Sequence, residues 1–171
     1  MEIERKFLVA ELPADLDRYP FHRIEQYYLN IRPVVRVRRE DDQFYLTYKG
    51  QGLMVREEYN LPLDEASYEH LAAKADGAGI CKRRFLIPDG DGTIELDVFD
   101  GAFAGLLLAE REFNSEEEAL AWQPRQWMGR EVTREGTYSN SRLSRLQPEQ
   151  IRETVRGALA ALKSEPPSKP E

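Results

Sequence analysis

Ionic side chains recur two residues apart along this chain, in segment after segment that otherwise reads as strand. Glu2, Glu4 and Lys6 open the series, and Arg36 with Arg38, Lys82 with Arg84, Glu95 with Asp97, and Glu110 with Glu112 continue it. Alternate residues of a strand point to the same face. Each pair therefore sets two ionic groups on one face, while Val35 and Val37, or Leu96 and Val98, take the other. Lys49, Arg56 and Glu58 obey the same parity, against Tyr48, Val55 and Tyr59. The set comprises seven cations (Lys6, Arg36, Arg38, Lys49, Arg56, Lys82, Arg84) and seven anions (Glu2, Glu4, Glu58, Glu95, Asp97, Glu110, Glu112).

For any one pair a solvated outer face is the ordinary explanation, since antiparallel sheets commonly keep one wet side. Solvated faces mix Thr, Ser and Gln with charge, however, and here every strand but the second places ions in register. Apolar faces turned outward onto helices would leave the ionic faces lining a closed tunnel. Charges of both signs on an enclosed surface are costly unless a ligand or metal satisfies them. Arg and Lys suit phosphate oxygens, and carboxylates on rigid strands suit Mg²⁺ or Mn²⁺. Such walls would hold a polyphosphate whose charge is bridged by metal.

A length of 171 residues fits one domain with a real core, placed here at residues 1–163, with a proline-rich tail from Ser164 to Glu171 expected to be disordered. The net charge of −7 argues against nucleic acid or an anionic membrane surface as partner. Cys81 is the single cysteine, which excludes an internal disulfide and a thiolate zinc cluster, and His22 and His70 spell no metal motif. No apolar run reaches membrane length and no secretory signal opens the chain, so a cytoplasmic monomer or homodimer is expected.

Strand character is expected near residues 2–9, 23–29, 34–39, 44–49, 54–61, 80–87, 93–99 and 107–113. Asp89-Gly90-Asp91-Gly92 marks a hairpin. Helices are expected from Asp64 to Ala75, with Ala66, Leu71 and Ala75 facing a core, and from Glu116 to Trp122 behind an Asn114 or Ser115 cap. A short helix falls within Tyr138–Leu146, and Pro148 starts a final one to about Lys163. Trp122 and Trp127 read as packing residues, Cys81 as a buried thiol turned away from Lys82 and Arg84, and one of Tyr27 and Tyr28 as a candidate to face the interior. There is no Gly-x-x-x-x-Gly-Lys-Ser/Thr loop, no Gly-x-Ser-x-Gly elbow and no dinucleotide glycine fingerprint.

Glu2-Ile3-Glu4-Arg5-Lys6-Phe7 resembles the signature of the CYTH superfamily, the triphosphate tunnel metalloenzymes. Val35-Arg36-Val37-Arg38, Leu46-Thr47-Tyr48-Lys49-Gly50, Arg56-Glu57-Glu58-Tyr59, Lys82-Arg83-Arg84-Phe85, Glu95-Leu96-Asp97-Val98-Phe99 and Glu110-Arg111-Glu112-Phe113 follow in the family's order. Glu131-Val132-Thr133 and Tyr138-Ser139-Asn140 match its closing segment, so the likeness covers roughly residues 1–146.

The resemblance implies an α+β fold, an eight-stranded antiparallel β-barrel tunnel with a charged interior flanked by helices. It implies a Mg²⁺- or Mn²⁺-dependent hydrolase of a small-molecule triphosphate, inorganic tripolyphosphate first. Arg36, Arg38, Lys49, Arg56, Lys82 and Arg84 would hold phosphate oxygens. Asp97, Glu110 and Glu112 would bind a first metal with Glu58 supporting its shell, and Glu2 and Glu4 would lie near a second metal or the attacking water. Lys6 would contact phosphate or assist the nucleophile. The alternatives are a class IV-type adenylyl cyclase, a nucleoside or thiamine triphosphatase, and a non-catalytic polyphosphate-binding module. Two departures bear on the site: Asn60 stands where many relatives carry a second carboxylate, and Thr137 where a basic residue is common, a contact that Arg134 or Arg142 would have to supply. Glu110 and Glu112 read alike as members of crowded anionic pairs, whose neutralisation should not cost stability.

Overall fold

The parity that places ions on one face places Phe7, Phe85, Leu96 and Ala109 on the other, and these four pack in one buried cluster with Ile87, Ile94 and Met128. The outward faces are therefore the core, as a tunnel of charge requires. The structure is a computed structural model that describes residues 2–52 and 54–163. The expected tail at Ser164–Glu171 lies outside the described residues, as does the side chain of Glu2.

Among the described residues, ten strands form one antiparallel sheet: β1 (Glu2–Val9), β2 (Phe21–Ile31), β3 (Val34–Glu40), β4 (Gln43–Lys49), β5 (Val55–Arg56), β6 (Glu58–Leu63), β7 (Ile80–Asp89), β8 (Gly92–Asp100), β9 (Leu107–Glu112) and β10 (Met128–Glu131). Their order is β10-β1-β9-β8-β7-β2-β3-β4-β6, and β5 returns to pair with β1. The expectation was eight strands. The segment around residues 54–61 divides at Glu57 because it serves two partners, β5 meeting β1 and β6 meeting β4. Met128–Glu131, read as no strand in the sequence, adds the tenth by pairing with the far end of β1. Among the described residues, closure rests on two residue pairs, Glu2 with Arg56 and Ile3 with Val55, and on the Glu4 amide donating to the Met54 carbonyl at 3.2 Å, so the sheet is not strictly closed.

Asp64 caps α1 (Glu65–Ala72) by accepting from the Ser67 amide at 2.7 Å. The residue this helix buries is Tyr68, with Leu71 half-buried behind it; Ala66, expected to face the core, is exposed. Tyr68 wins because its ring reaches Phe44 on β4 at 5.2 Å and its hydroxyl donates to Glu25 at 2.8 Å. Ser115 caps α2 (Glu116–Ala121) through the Glu118 amide, and Glu118 Oε2 accepts from the Asn114 amide in return. Trp122 packs edge-on against Phe7 and Phe113 and donates to Asp89 at 2.7 Å, which is the packing role expected of it. After a short 3₁₀ turn (Gly136–Tyr138) come α3 (Asn140–Leu143) and α4 (Pro148–Lys163). Gly90, at φ +63°, makes the expected β7–β8 turn. Among the described residues no helix is long and apolar enough to cross a membrane.

The interior is not charged from end to end. Leu8, Ile80, Phe99 and Leu108 share strand parity with the ions yet belong to a buried apolar cluster with Phe103, Leu106, Tyr138, Leu143, Ile151 and Ala158. Ile151, Val155, Ala158 and Leu162 form one stripe of α4 that packs into this cluster. Each aliphatic side chain so buried contributes about 1.5–3 kcal/mol. The cylinder therefore holds ions towards one end and an apolar plug towards the other.

Candidate functional site

Strand register sorts the ions into two walls around a cavity of about 410 Å³. On one wall β1, β9 and β8 bring Glu4, Glu112, Glu110 and Glu95 into adjacent positions, with Glu4 opposite Glu112 and Glu95 opposite Glu110. On the other, β3 and β4 bring Arg36, Arg38 and Lys49, and Arg56 on β5 stands where this wall meets β1, its Nη2 3.6 Å from Glu4 Oε1. Between them β2 turns no carboxylate, lysine or arginine to the cavity, and Gln26 and Tyr28 do its work. Arg38 Nε donates to Gln26 Oε1 at 3.0 Å, and Gln26 Nε2 donates to the Tyr28 hydroxyl at 3.1 Å. Neutral hydrogen-bonding residues there keep Arg38 aimed without cancelling its charge.

Lys6 and Arg84 stitch the acidic wall. Lys6 Nζ lies 2.8 Å from Glu110 Oε1 and 3.7 Å from Glu4 Oε1. Arg84 grips Asp97 through Nε and Nη2, each at 2.7 Å, reaches Glu110 Oε2 at 2.8 Å, and also bonds Glu95. Behind Arg84, Lys82 Nζ sits 2.5 Å from Asp97 Oδ2, with both side chains fully buried. Burial opposes ionisation of Glu110, yet Lys6, Arg84 and Lys82 hold its carboxyl well below the usual range. Asp97 is lowered too, by Arg84 and Lys82 against burial. Of the Lys82–Asp97 pair the ammonium is the weaker member: burial and the neighbouring Arg84 charge push it down to about 7 despite Asp97. Burial would also depress Lys6, but Glu110 and Glu4 outweigh it and the net shift is upward. Burial, Arg36 and Arg84 bring Arg38 down to about 10.

Most of the residues singled out from sequence thus meet at one cavity: Glu4, Lys6, Arg36, Arg38, Lys49, Arg56, Glu58, Arg84, Glu95, Glu110 and Glu112 line it. Lys82 and Asp97 do not; they lie a layer deeper, satisfied by each other and by Arg84. Glu58 stands with the basic wall, its Oε2 2.7 Å from Lys49 Nζ. Asn60 accepts from Thr47 at 2.7 Å and donates to Glu58 at 3.0 Å, so it orients that carboxylate where a second acid was expected. Thr137, Arg134 and Arg142 are exposed and off the cavity wall, so no cation takes the place that Thr137 leaves empty of one. Sequence reading missed Gln26, Thr133 and Asn140 as lining or supporting residues. The parity of Gln26 with Tyr28 was the signal for the first; no periodicity marked the other two.

The donor set on the acidic wall is oxygen only, which suits a hard divalent cation. Glu4 and Glu112 face each other on adjacent strands, with Lys6 Nζ 3.7 Å and Arg56 Nη2 3.6 Å from Glu4. The oxygen chemistry of this donor set is what fits a divalent metal. Among the described residues, however, no three such side chains already converge on one point. Asp97 and Glu58, expected from sequence as ligands, have lysine or arginine partners in this structure, as Glu110 does with Lys6 and Arg84.

The CYTH domain family matches residues 1–131. An inorganic triphosphatase from Nitrosomonas europaea is 38% identical over 149 residues, 84% of this chain and 96% of that one. An inorganic triphosphatase from Acetivibrio thermocellus is 35% identical, over 83% of this chain and 92% of its own. A crystal structure of an inorganic triphosphatase superposes with a TM-score of 0.66 at 34% identity, covering 86% of this chain and 97% of the other. A Hippeastrum protein, an adenylyl cyclase candidate with a dominant triphosphatase activity, shares the fold at a TM-score of 0.56 and 15% identity, over 70% of this chain and 83% of its own.

Proposed function

Since this chain belongs to the CYTH domain family, we propose that it is a metal-dependent triphosphatase acting on inorganic tripolyphosphate, a single functional unit over residues 1–163 that works in the cytoplasm. The observation that carries this reading is the separation of a basic wall from an acidic wall across one cavity. The relatives named inorganic triphosphatase support the substrate.

Arg36, Arg38, Lys49, Arg56 and Arg84 bind the phosphate oxygens and fix the chain of phosphorus atoms between the walls. Glu4, Glu110 and Glu112, with Glu2 in the same strand as Glu4, would hold Mg²⁺ or Mn²⁺. Such an ion would supply charge neutralisation for the triphosphate and make water more acidic. Lys6 is raised above its ordinary value and stays an ammonium, so it serves as a phosphate-holding cation and not as a proton acceptor. Glu4, 3.7 Å from Lys6 and 3.6 Å from Arg56 Nη2, is placed to orient water and take its proton. Water attacks the terminal phosphorus, the anhydride P–O bond breaks, and pyrophosphate leaves with the bonding electrons, its charge met by the arginines. Asp97 and Lys82 act indirectly: they fix the Arg84 guanidinium, and Asn60 fixes Glu58 against Lys49.

Phosphate release from tripolyphosphate, ATP and thiamine triphosphate, each with Mg²⁺ and with Mn²⁺, tests the reading. Turnover is expected with tripolyphosphate above the other two. No release from any of them in either metal removes it, and cyclic AMP plus pyrophosphate from ATP replaces the hydrolase with a cyclase. Tight tripolyphosphate binding that a chelator does not weaken, without turnover, makes the protein a binder instead.

A further inference from the structure

Arg84 meets three carboxylates, and they are not alike. A guanidinium carries five N–H groups. Nε and Nη2 spend three of them on Asp97 and Glu110, at 2.7, 2.7 and 2.8 Å, and those two side chains are 0% and 9% exposed. Nη1 bonds Glu95, whose side chain is 38% exposed and which, among the described residues, has Arg84 as its one hydrogen-bond partner. Desolvation ties Asp97 and Glu110 in place, since a buried carboxylate parted from its cation is left as an unpaired charge. Nothing comparable holds Glu95. An exposed ion pair is worth little, and water hydrates the carboxylate as soon as it lets go. Arg84 and Glu95 both line the cavity, so the Nη1 end of the guanidinium is the end a ligand can reach.

Carboxylate and phosphate oxygens are both anionic acceptors for a guanidinium N–H, so one can replace the other on Nη1 without moving Arg84 from Asp97 and Glu110. We propose that Glu95 is a positioning residue that acts through Arg84. It holds Nη1 before the triphosphate enters, yields it to a phosphate oxygen of the bound triphosphate, and takes it back as the product leaves. Displacing Glu95 costs binding free energy, which the many contacts of a triphosphate with the basic wall outweigh more readily than those of a shorter phosphate. The proposal rests on the triphosphate reading above.

Glu95→Gln, Glu95→Ala and a control, Glu135→Gln, test it. Glu135 lines the same cavity, is 41% exposed and pairs with Arg130, so neutralising it removes the same charge without touching Arg84. Tripolyphosphate binding is measured by calorimetry in chelator and with Mg²⁺, alongside KM, inhibition by pyrophosphate and the melting temperature. With the competing carboxylate gone, Kd should fall about threefold or more in Glu95→Gln, and at least as far in Glu95→Ala. KM should follow, inhibition by pyrophosphate should tighten, and the ligand-free melting temperature should hold. Glu135→Gln should change Kd by less than about twofold, because exposed charges are screened. Unchanged or raised Kd in both Glu95 variants overturns the proposal, because the carboxylate then aims Arg84 and does not compete for it. An equal fall in Glu135→Gln overturns it as well, since the effect is then one of net charge. A parent protein that does not bind tripolyphosphate in either condition overturns the triphosphate reading itself, a result distinguishable from the failure of any variant.

Discussion

Glu4 faces Glu112 on one rung of the β1–β9 ladder, while two residues along the same strands Lys6 faces Glu110. One rung pairs like charges and the other opposite charges, so two glutamates that look equivalent in sequence are not. Neutralising Glu112 removes a repulsion and a metal donor together. Glu112→Gln should lower turnover by about 100-fold or more, because a metal-stabilised transition state is worth several kcal/mol. The rise in melting temperature that Mg²⁺ gives the parent should shrink in this variant. Melts with and without Mg²⁺, set beside phosphate release, check both halves.

Glu110→Gln should lose stability. It strips a buried partner from Lys6 and Arg84, and breaking such a buried network costs about 3–5 kcal/mol. For Glu110 these partners argue against the expectation from sequence that neutralisation is harmless to the fold.

The same network sets the acid limit of the fold. Glu110 and Asp97 are both depressed in the folded state. Their stabilisation is therefore complete above the unfolded carboxylate value of about 4 and is lost as pH falls through the depressed range. Denaturant unfolding from pH 7 down to pH 3 should show the parent weakening below about pH 4, and Glu110→Gln should weaken less steeply there.

Arg36 is buried, its Nε is without a partner and its nearest carboxylate contact is 4.0 Å from Glu58. An apolar side chain of similar length should therefore be tolerated by the fold. Arg36→Met should leave the melting temperature unchanged or higher while weakening tripolyphosphate binding by about 1.5–3 kcal/mol. A variant that melts well below the parent would show that the guanidinium holds the barrel rather than the ligand.

Gly129 lets α4 lie against β10. A Cβ there would sit 2.1 Å from Leu162 Cδ2 and 3.0 Å from the Leu8 carbonyl oxygen. Gly129→Ala should cost about 1–3 kcal/mol by overpacking and speed hydrogen exchange in the last turns of α4. Turnover should fall far less than stability, since Gly129 is not part of the cavity wall.

Strand parity, which is local, settled which side chains share a face, and that alone assembled eleven of the expected ions on one cavity. It also placed the apolar outer faces, because Phe85, Leu96 and Ala109 alternate with those ions in any strand conformation. What parity could not tell was position along the cylinder axis. Leu8, Phe99 and Leu108 carry the same parity as Glu4, Asp97 and Glu110, and they become plug and not wall because α3, α4 and the turn at Gly101–Phe103 pack over that end. Nor could it tell which charges neutralise one another. Lys82 and Asp97 give no sign in their spacing of pairing with each other, and the β7–β8 register brings them together with Arg84 in the interior, where desolvation makes any unpaired charge prohibitive.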